Sequence, residues 1–172
     1  MPKIIENVRE QLLTEAKKQI RERGYADITI RSVAGACGLG VGTVYNYFPS
    51  KEMLIATFVY EDWKQYLTAM QALPTDDLKS LLGGIYDALR RFAKENEALF
   101  SDAEAAKHVS LGPSDRHRLL RDQIAAIVLP VCGAASSSSF TAAFVAEALI
   151  CWSMERADFE MVYPLLEKMI KS

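Results

Sequence analysis

The 172-residue chain predicts an all-α fold in two parts. A three-helix module containing a helix-turn-helix occupies residues 1–50, and a helical bundle occupies residues 51–172. Three observations lead there. Apolar residues recur at steps of three and four along nearly the whole chain. Glycine, proline and hydroxyl- or carboxylate-bearing caps divide those runs into pieces of helical length. The stretch Thr29–Lys51, TIRSVAGACGLGVGTVYNYFPSK, sets two short helices around one tight turn and launches a third.

The first helix is expected over residues 4–23, with Ile5, Val8, Leu12, Ala16 and Ile20 as its core stripe. Lys17, Lys18, Arg21 and Arg23 crowd its last turns. They favour the negative end of the helix dipole and are also candidates for phosphate. Gly24 ends the helix. Thr29 is placed to cap the second, whose apolar face is Ile30, Val33, Ala34 and Cys37. Gly38 suits the positive φ of a sharp turn, Leu39 plugs the angle, and Gly40 caps the third helix, which runs to about Tyr47. In that helix Val44 and Phe48 face inward. Val41, Gly42, Thr43, Tyr45, Asn46 and Tyr47 are left on the outer surface or its edges; three consecutive residues, 45 to 47, cannot all enter one core. Pro49 breaks the chain, Ser50 caps, and Lys51 opens a long helix. A helix-turn-helix presents its second helix to a DNA major groove. Thr43 and Tyr47 are the expected base contacts, with Val41 and Asn46 beside them; an apolar Val41 suits a thymine methyl. Thr29, Arg31, Tyr45 and Lys51 are the expected phosphate contacts, while Gly38 and Gly42 act through backbone shape.

The long helix runs from Lys51 to about Leu73, stopped by Pro74, with an apolar stripe wide enough to enter two cores in turn. Thr75 or Asp76 is expected to cap the next helix, to about Asn96. Its Gly83-Gly84 pair costs roughly 1 kcal/mol per glycine against alanine, and close packing is a better explanation than room for a ligand. Helices follow over Glu97–His108, Ser114 to about Leu129, Phe140–Arg156 and Asp158–Lys171, with loops at Ser110–Pro113 and Gly133–Ser139. In the last two, Phe140, Phe144, Ala148, Leu149 and Trp152 lie broadly on one side and other faces are apolar too. Burial on several sides in so small a chain calls for a second subunit, hence a homodimer through these helices. Trp63, Tyr86, Phe92, Phe100 and Trp152 are the large residues from which a small-ligand site is expected, one suited to an apolar or aromatic molecule.

Net charge is −2, but residues 1–51 hold 8 Lys+Arg against 5 Asp+Glu, leaving 12 against 17 in the remainder. A positive end on an acidic body suits contact with DNA through that end. No apolar run is long enough for a membrane span and the first residues carry no signal-like segment, so the cytoplasm is expected. Cys37, Cys132 and Cys151 lie far apart and read as small buried residues in a reducing compartment. No phosphate-binding glycine loop, Cys-x-x-Cys pair or nucleophile elbow occurs, so no enzyme activity or cofactor is expected. Glu104 and His108 are four apart on one helix, but two ligands do not make a metal site.

Gly24-Tyr25, Thr29-Ile30-Arg31, Val33-Ala34, Gly38-Leu39, Gly42-Thr43-Val44-Tyr45 and Phe48-Pro49-Ser50-Lys51 resemble, in type and spacing, the TetR family of bacterial transcriptional regulators. The resemblance covers about residues 5–60. Two positions depart from it: Gly40 stands where a serine cap is usual, and Val41 where a polar or basic residue is usual. The resemblance implies a dimeric repressor on a palindromic operator in double-stranded DNA, released by a small-molecule effector. Two other classes remain open from the residues alone: a DNA-bound scaffold recruiting a protein partner, and a helical-bundle carrier of apolar small molecules.

Overall fold

The computed structural model describes residues 7–108, 113–133 and 137–171. Within them lie α1 (Val8–Arg23), α2 (Ile30–Ala36), α3 (Val41–Tyr47), α4 (Lys51–Gln71), α5 (Leu78–Glu95), α6 (Glu97–Phe100), α7 (Ala103–His108), α8 (Pro113–Val128), a short 3-10 turn (Leu129–Val131), α9 (Ser138–Met154) and α10 (Phe159–Lys171). They form two compact units. The first is Met1–Asp62 with Asn96–Ser110; the second is Trp63–Glu95 with Leu111–Ser172. The division expected at residue 50 therefore differs from the observed one in two ways. The first unit keeps α4 as far as Asp62, and it takes in α6 and α7.

The reason is visible in its core. Leu54, Ile55 and Phe58 of α4 and Leu99 and Ala105 of α6 and α7 are buried together with Leu12, Ala16, Ile28, Val33 and Val44. Burial of this kind contributes about 1.5–3 kcal/mol per large side chain. Arg9 pairs with Glu61 at 2.6 Å, and Lys17 pairs with Asp62, so two ion pairs also tie α1 to α4.

Local signals decide the helix ends. Asp77, one residue beyond the expected pair, caps α5: its carboxylate accepts from the Ser80 amide at 3.1 Å. The single helix expected over Glu97–His108 is broken at Ser101–Asp102, where the Asp102 carboxylate accepts from the amides of Glu104 and Ala105 at 2.9 Å and starts α7. The expected loop at 110–112 and the Ser114 side chain lie outside the described residues.

In the second unit α9 packs against α5, α8 and α10. Gly83 and Gly84 are explained by packing. A Cβ at Gly84 would stand 2.8 Å from Leu73, and one at Gly83 3.2 Å from the Phe159 ring. The unit's outer face keeps Phe140, Phe144 and Trp152 of α9 and Met161 and Leu165 of α10 exposed, Phe140 at 76% and Met161 at 75%. Leu149, expected on that side, is fully buried. Cys132 is buried as expected, but Cys37 is half-buried and Cys151 exposed, because Cys151 falls on the outer face of α9. No helix among the described residues is long and apolar enough to cross a membrane, and those residues hold no group of three or more His, Cys, Asp or Glu able to hold a metal ion.

Candidate nucleic-acid interface

The interface is built from the caps outward. Gly24, at φ 83°, ends α1 and lets the chain turn into Tyr25, which is buried. Thr29 is extended (φ −136°, ψ 156°), and its hydroxyl accepts from the Ser32 amide at 3.0 Å, while the Thr29 amide donates to the Ser32 hydroxyl at 3.0 Å. This reciprocal cap satisfies two backbone donors at once. Its own hydroxyl proton remains to donate outward. Arg31, two residues on, is exposed.

Gly38 adopts φ 67°, and the Leu39 amide returns to the Ala34 carbonyl at 2.9 Å, which closes the turn between α2 and α3. Gly40 caps α3 through backbone alone. Val44 and Phe48 anchor α3 in the core, at 0% and 3% exposure. With those two fixed, Gly42, Tyr45, Asn46 and Tyr47 project outward and Thr43 is half-buried. Three of the residues predicted for the groove or its phosphates, Tyr45, Asn46 and Tyr47, are thus exposed together. Pro49 interrupts the chain, and the Ser50 hydroxyl accepts from the Met53 amide at 3.2 Å to start α4.

Two of the predicted contacts are placed differently. Val41 is half-buried at the edge of the outer face of α3 and packs against the core. Lys51 donates from Nζ to the Tyr25 carbonyl at 2.6 Å and stands 3.9 Å from the centre of the Tyr25 ring. Partial burial pushes its pKa down, against the pull of Glu52, Asp102 and Asp27. The ammonium is already committed to the α1–α2 loop, which the spacing alone does not reveal.

Among the residues expected to line a ligand site, Trp63 and Phe92 meet within the second unit. Trp63, Tyr86 and Phe92 are buried in the second unit. There the Trp63 indole donates to Gln123 at 2.7 Å, with Phe92 edge-on to Trp63 and to Tyr66. The Tyr86 hydroxyl lies between the carbonyls of Trp152 (2.8 Å) and Ala157 (2.7 Å) and holds the corner between α9 and α10. Phe100 belongs to the first unit, half-buried against the helix-turn-helix core, and Trp152 is 43% exposed.

The sequence reading missed Gln19. It is 3% exposed on the buried face of α1. Its Nε2 donates to Glu15 at 2.9 Å and to the Ser32 carbonyl at 3.2 Å, and its Oε1 accepts from the Ser32 hydroxyl at 2.6 Å. The signal was present: residue 19 is three beyond Ala16 and seven beyond Leu12, on the core stripe, where a polar residue demands a partner.

Residues 12–57 match the family model for bacterial regulatory proteins of the tetR family. The chain is 31% identical over 122 residues to the HTH-type transcriptional repressor KstR of Mycobacterium tuberculosis, covering 58% of this chain and 56% of that one. It is 32% identical over 119 residues to the HTH-type transcriptional regulator CymR of Pseudomonas putida, covering 66% and 54%. It therefore spans about half the length of these curated relatives. Among solved structures, the TetR-family repressor AlkX from Dietzia, implicated in n-alkane biodegradation, has a TM-score of 0.63 at 15% identity, covering 96% of this chain and 98% of that one. The fatty acid degradation regulator FadR from Bacillus halodurans has a TM-score of 0.59 at 16% identity, covering 98% and 97%. These structures share the all-helical fold.

Proposed function

We propose that this chain, which carries the DNA-binding domain of the tetR family of bacterial regulatory proteins at residues 12–57, is a DNA-binding transcriptional repressor that acts as a homodimer. The observation that carries the reading is the outer face of α3. Val44 and Phe48 lock the helix into a core, and Tyr45, Asn46 and Tyr47 are left outside, with Tyr45 51% and Tyr47 46% exposed. An aromatic ring tipped with a hydroxyl, beside an amide, offers apolar area and hydrogen bonds together, which is what base-pair edges in a major groove require. Thr43 and Tyr47, with Asn46, read bases. Thr29, Arg31 and Tyr45 meet phosphate, and Gly42 leaves the backbone bare beside them. Val41 is a poorer groove contact than its position suggested, since it packs inward.

A second copy covers the exposed apolar face of α9 and α10, and the pair reads a palindrome with one α3 in each half-site. A small apolar effector bound in the second unit releases the operator. It does so by favouring a conformer of α4, the helix common to both units, in which the two α3 helices no longer fit successive major grooves. An effector of this kind must bind the released conformer more tightly, by up to about 3 kcal/mol. The test is selection of duplexes from a random pool by the full chain, with sedimentation of the complex. An enriched inverted repeat bound by two chains is expected; enrichment of no sequence, or binding of a single chain to an asymmetric site, overturns the reading.

A further inference from the structure

We propose that Gln19 is a positioning residue: its buried amide clasps the cap at the start of α2 and thereby holds Thr29 and Arg31 in register with the phosphate backbone. The inference rests on the DNA-binding reading above. A primary amide buried at 3% exposure is expensive unless its donors and acceptor are all used, and here they are. Both Nε2 protons go to Glu15 and the Ser32 carbonyl, and Oε1 accepts from the Ser32 hydroxyl. Ser32 in turn is the residue that exchanges hydrogen bonds with Thr29, through both its amide and its hydroxyl. The side chain of one α1 residue therefore grips backbone and side chain of the third residue of α2 together.

Apolar contacts between helices tolerate a slide of an ångström; directional bonds at 2.6 to 3.2 Å do not. Sliding or rotating α2 on α1 breaks the bonds to Ser32 together. Leucine would fill nearly the same volume at residue 19 and pack on the same stripe, and the Ser32 hydroxyl would keep the Thr29 carbonyl, 2.8 Å away. The fold does not require the amide. What the amide adds is a single orientation for the first turn of α2, from which the Thr29 hydroxyl and Arg31 project.

The test compares wild type, Gln19→Leu, Ser32→Ala and the double variant as full chains, well below their unfolding temperatures. The probes are a random-sequence duplex and the duplex that wild type selects from a random pool. For Gln19→Leu the expected result is an unfolding midpoint equal to or above wild type, with affinity for both duplexes down roughly tenfold and a salt slope lower by about one. The double variant should bind no more weakly than the weaker single variant, because both break one clasp. Undiminished affinity in Gln19→Leu, or fully additive losses, overturns the inference, whatever happens to the midpoint. If Gln19→Leu does not fold, Gln19→Glu, which can accept from Ser32 but not donate to its carbonyl, is judged by the same affinity and slope. A wild-type chain that selects no duplex defeats the DNA-binding reading itself, before any variant is compared.

Discussion

The outer faces of α3 and of α9 with α10 both leave aromatic side chains in water, but they differ in what tips those side chains. On α3 the exposed rings are Tyr45 and Tyr47, with Asn46 between them; on α9 they are Phe140, Phe144 and Trp152, flanked on α10 by Met161 and Leu165. Both faces arise in the same way. A helix fixes one side in a core, Val44 and Phe48 for α3, Val145 and Leu149 for α9, and whatever stands opposite is presented outward. The contrast is then one of chemistry. Hydroxyl and amide tips keep their worth only against another polar surface, whereas phenyl and thioether groups gain by leaving water altogether. On the proposed function, the first face meets base edges and phosphates and the second a second copy of the chain.

The largest effect of substitution is expected on the apolar face. Phe144→Glu should convert the chain to a monomer in sedimentation and weaken binding to the selected duplex by at least about a hundredfold, because a carboxylate buried at the centre of an interface leaves a charge unpaired. A dimer that survives this change would remove α9 from the interface. Next comes Tyr47→Ala, expected to lose about tenfold on the selected duplex and little on random DNA, in keeping with ~1–3 kcal/mol for a groove contact. Equal losses on both would reassign Tyr47 to the backbone. Lys51 sharpens the boundary between contact and scaffold. Since its ammonium already holds the Tyr25 carbonyl and ring, Lys51→Ala should lower stability by about 1 kcal/mol with an unchanged salt slope on random DNA. A slope reduced by about one would return it to the phosphate contacts.

The smallest effect concerns the cap of α5. The Asp77 carboxyl is held below its ordinary range by its hydrogen bonds from the Ser80 hydroxyl and amide. A carboxylate lowered on folding stabilises above its unfolded pKa, and that contribution fades as pH falls through the folded value. Acidification should therefore loosen the start of α5 in wild type, while Asp77→Asn should show a flatter profile in the same acid range by amide hydrogen exchange. Identical profiles would deny the cap any linkage to pH.

Much of the first unit was legible. Thr29, Gly38, Pro49 and Ser50 act locally, each through a φ value or a hydrogen bond within three or so residues, so their roles follow from spacing. The Gly83-Gly84 pair was legible as tight packing, though not which side chains, Phe159 and Leu73, it accommodates. Gln19 was overlooked because a polar residue on a core stripe states a need without naming its partner, thirteen positions away at Ser32. The carbonyls that the Tyr86 hydroxyl reaches and the core that Phe100 joins were not legible, because size and region say nothing of either.

What the sequence determined by itself was the helical punctuation and the outward set on α3, because caps, breakers and a 3.6-residue period are local properties of the chain. What only the tertiary structure decided was the extent of the first unit, the commitment of Lys51 to Tyr25 and the clasp of Gln19 on α2. Each of these depends on which distant segments share a core, and long-range burial is not encoded in the spacing of neighbours.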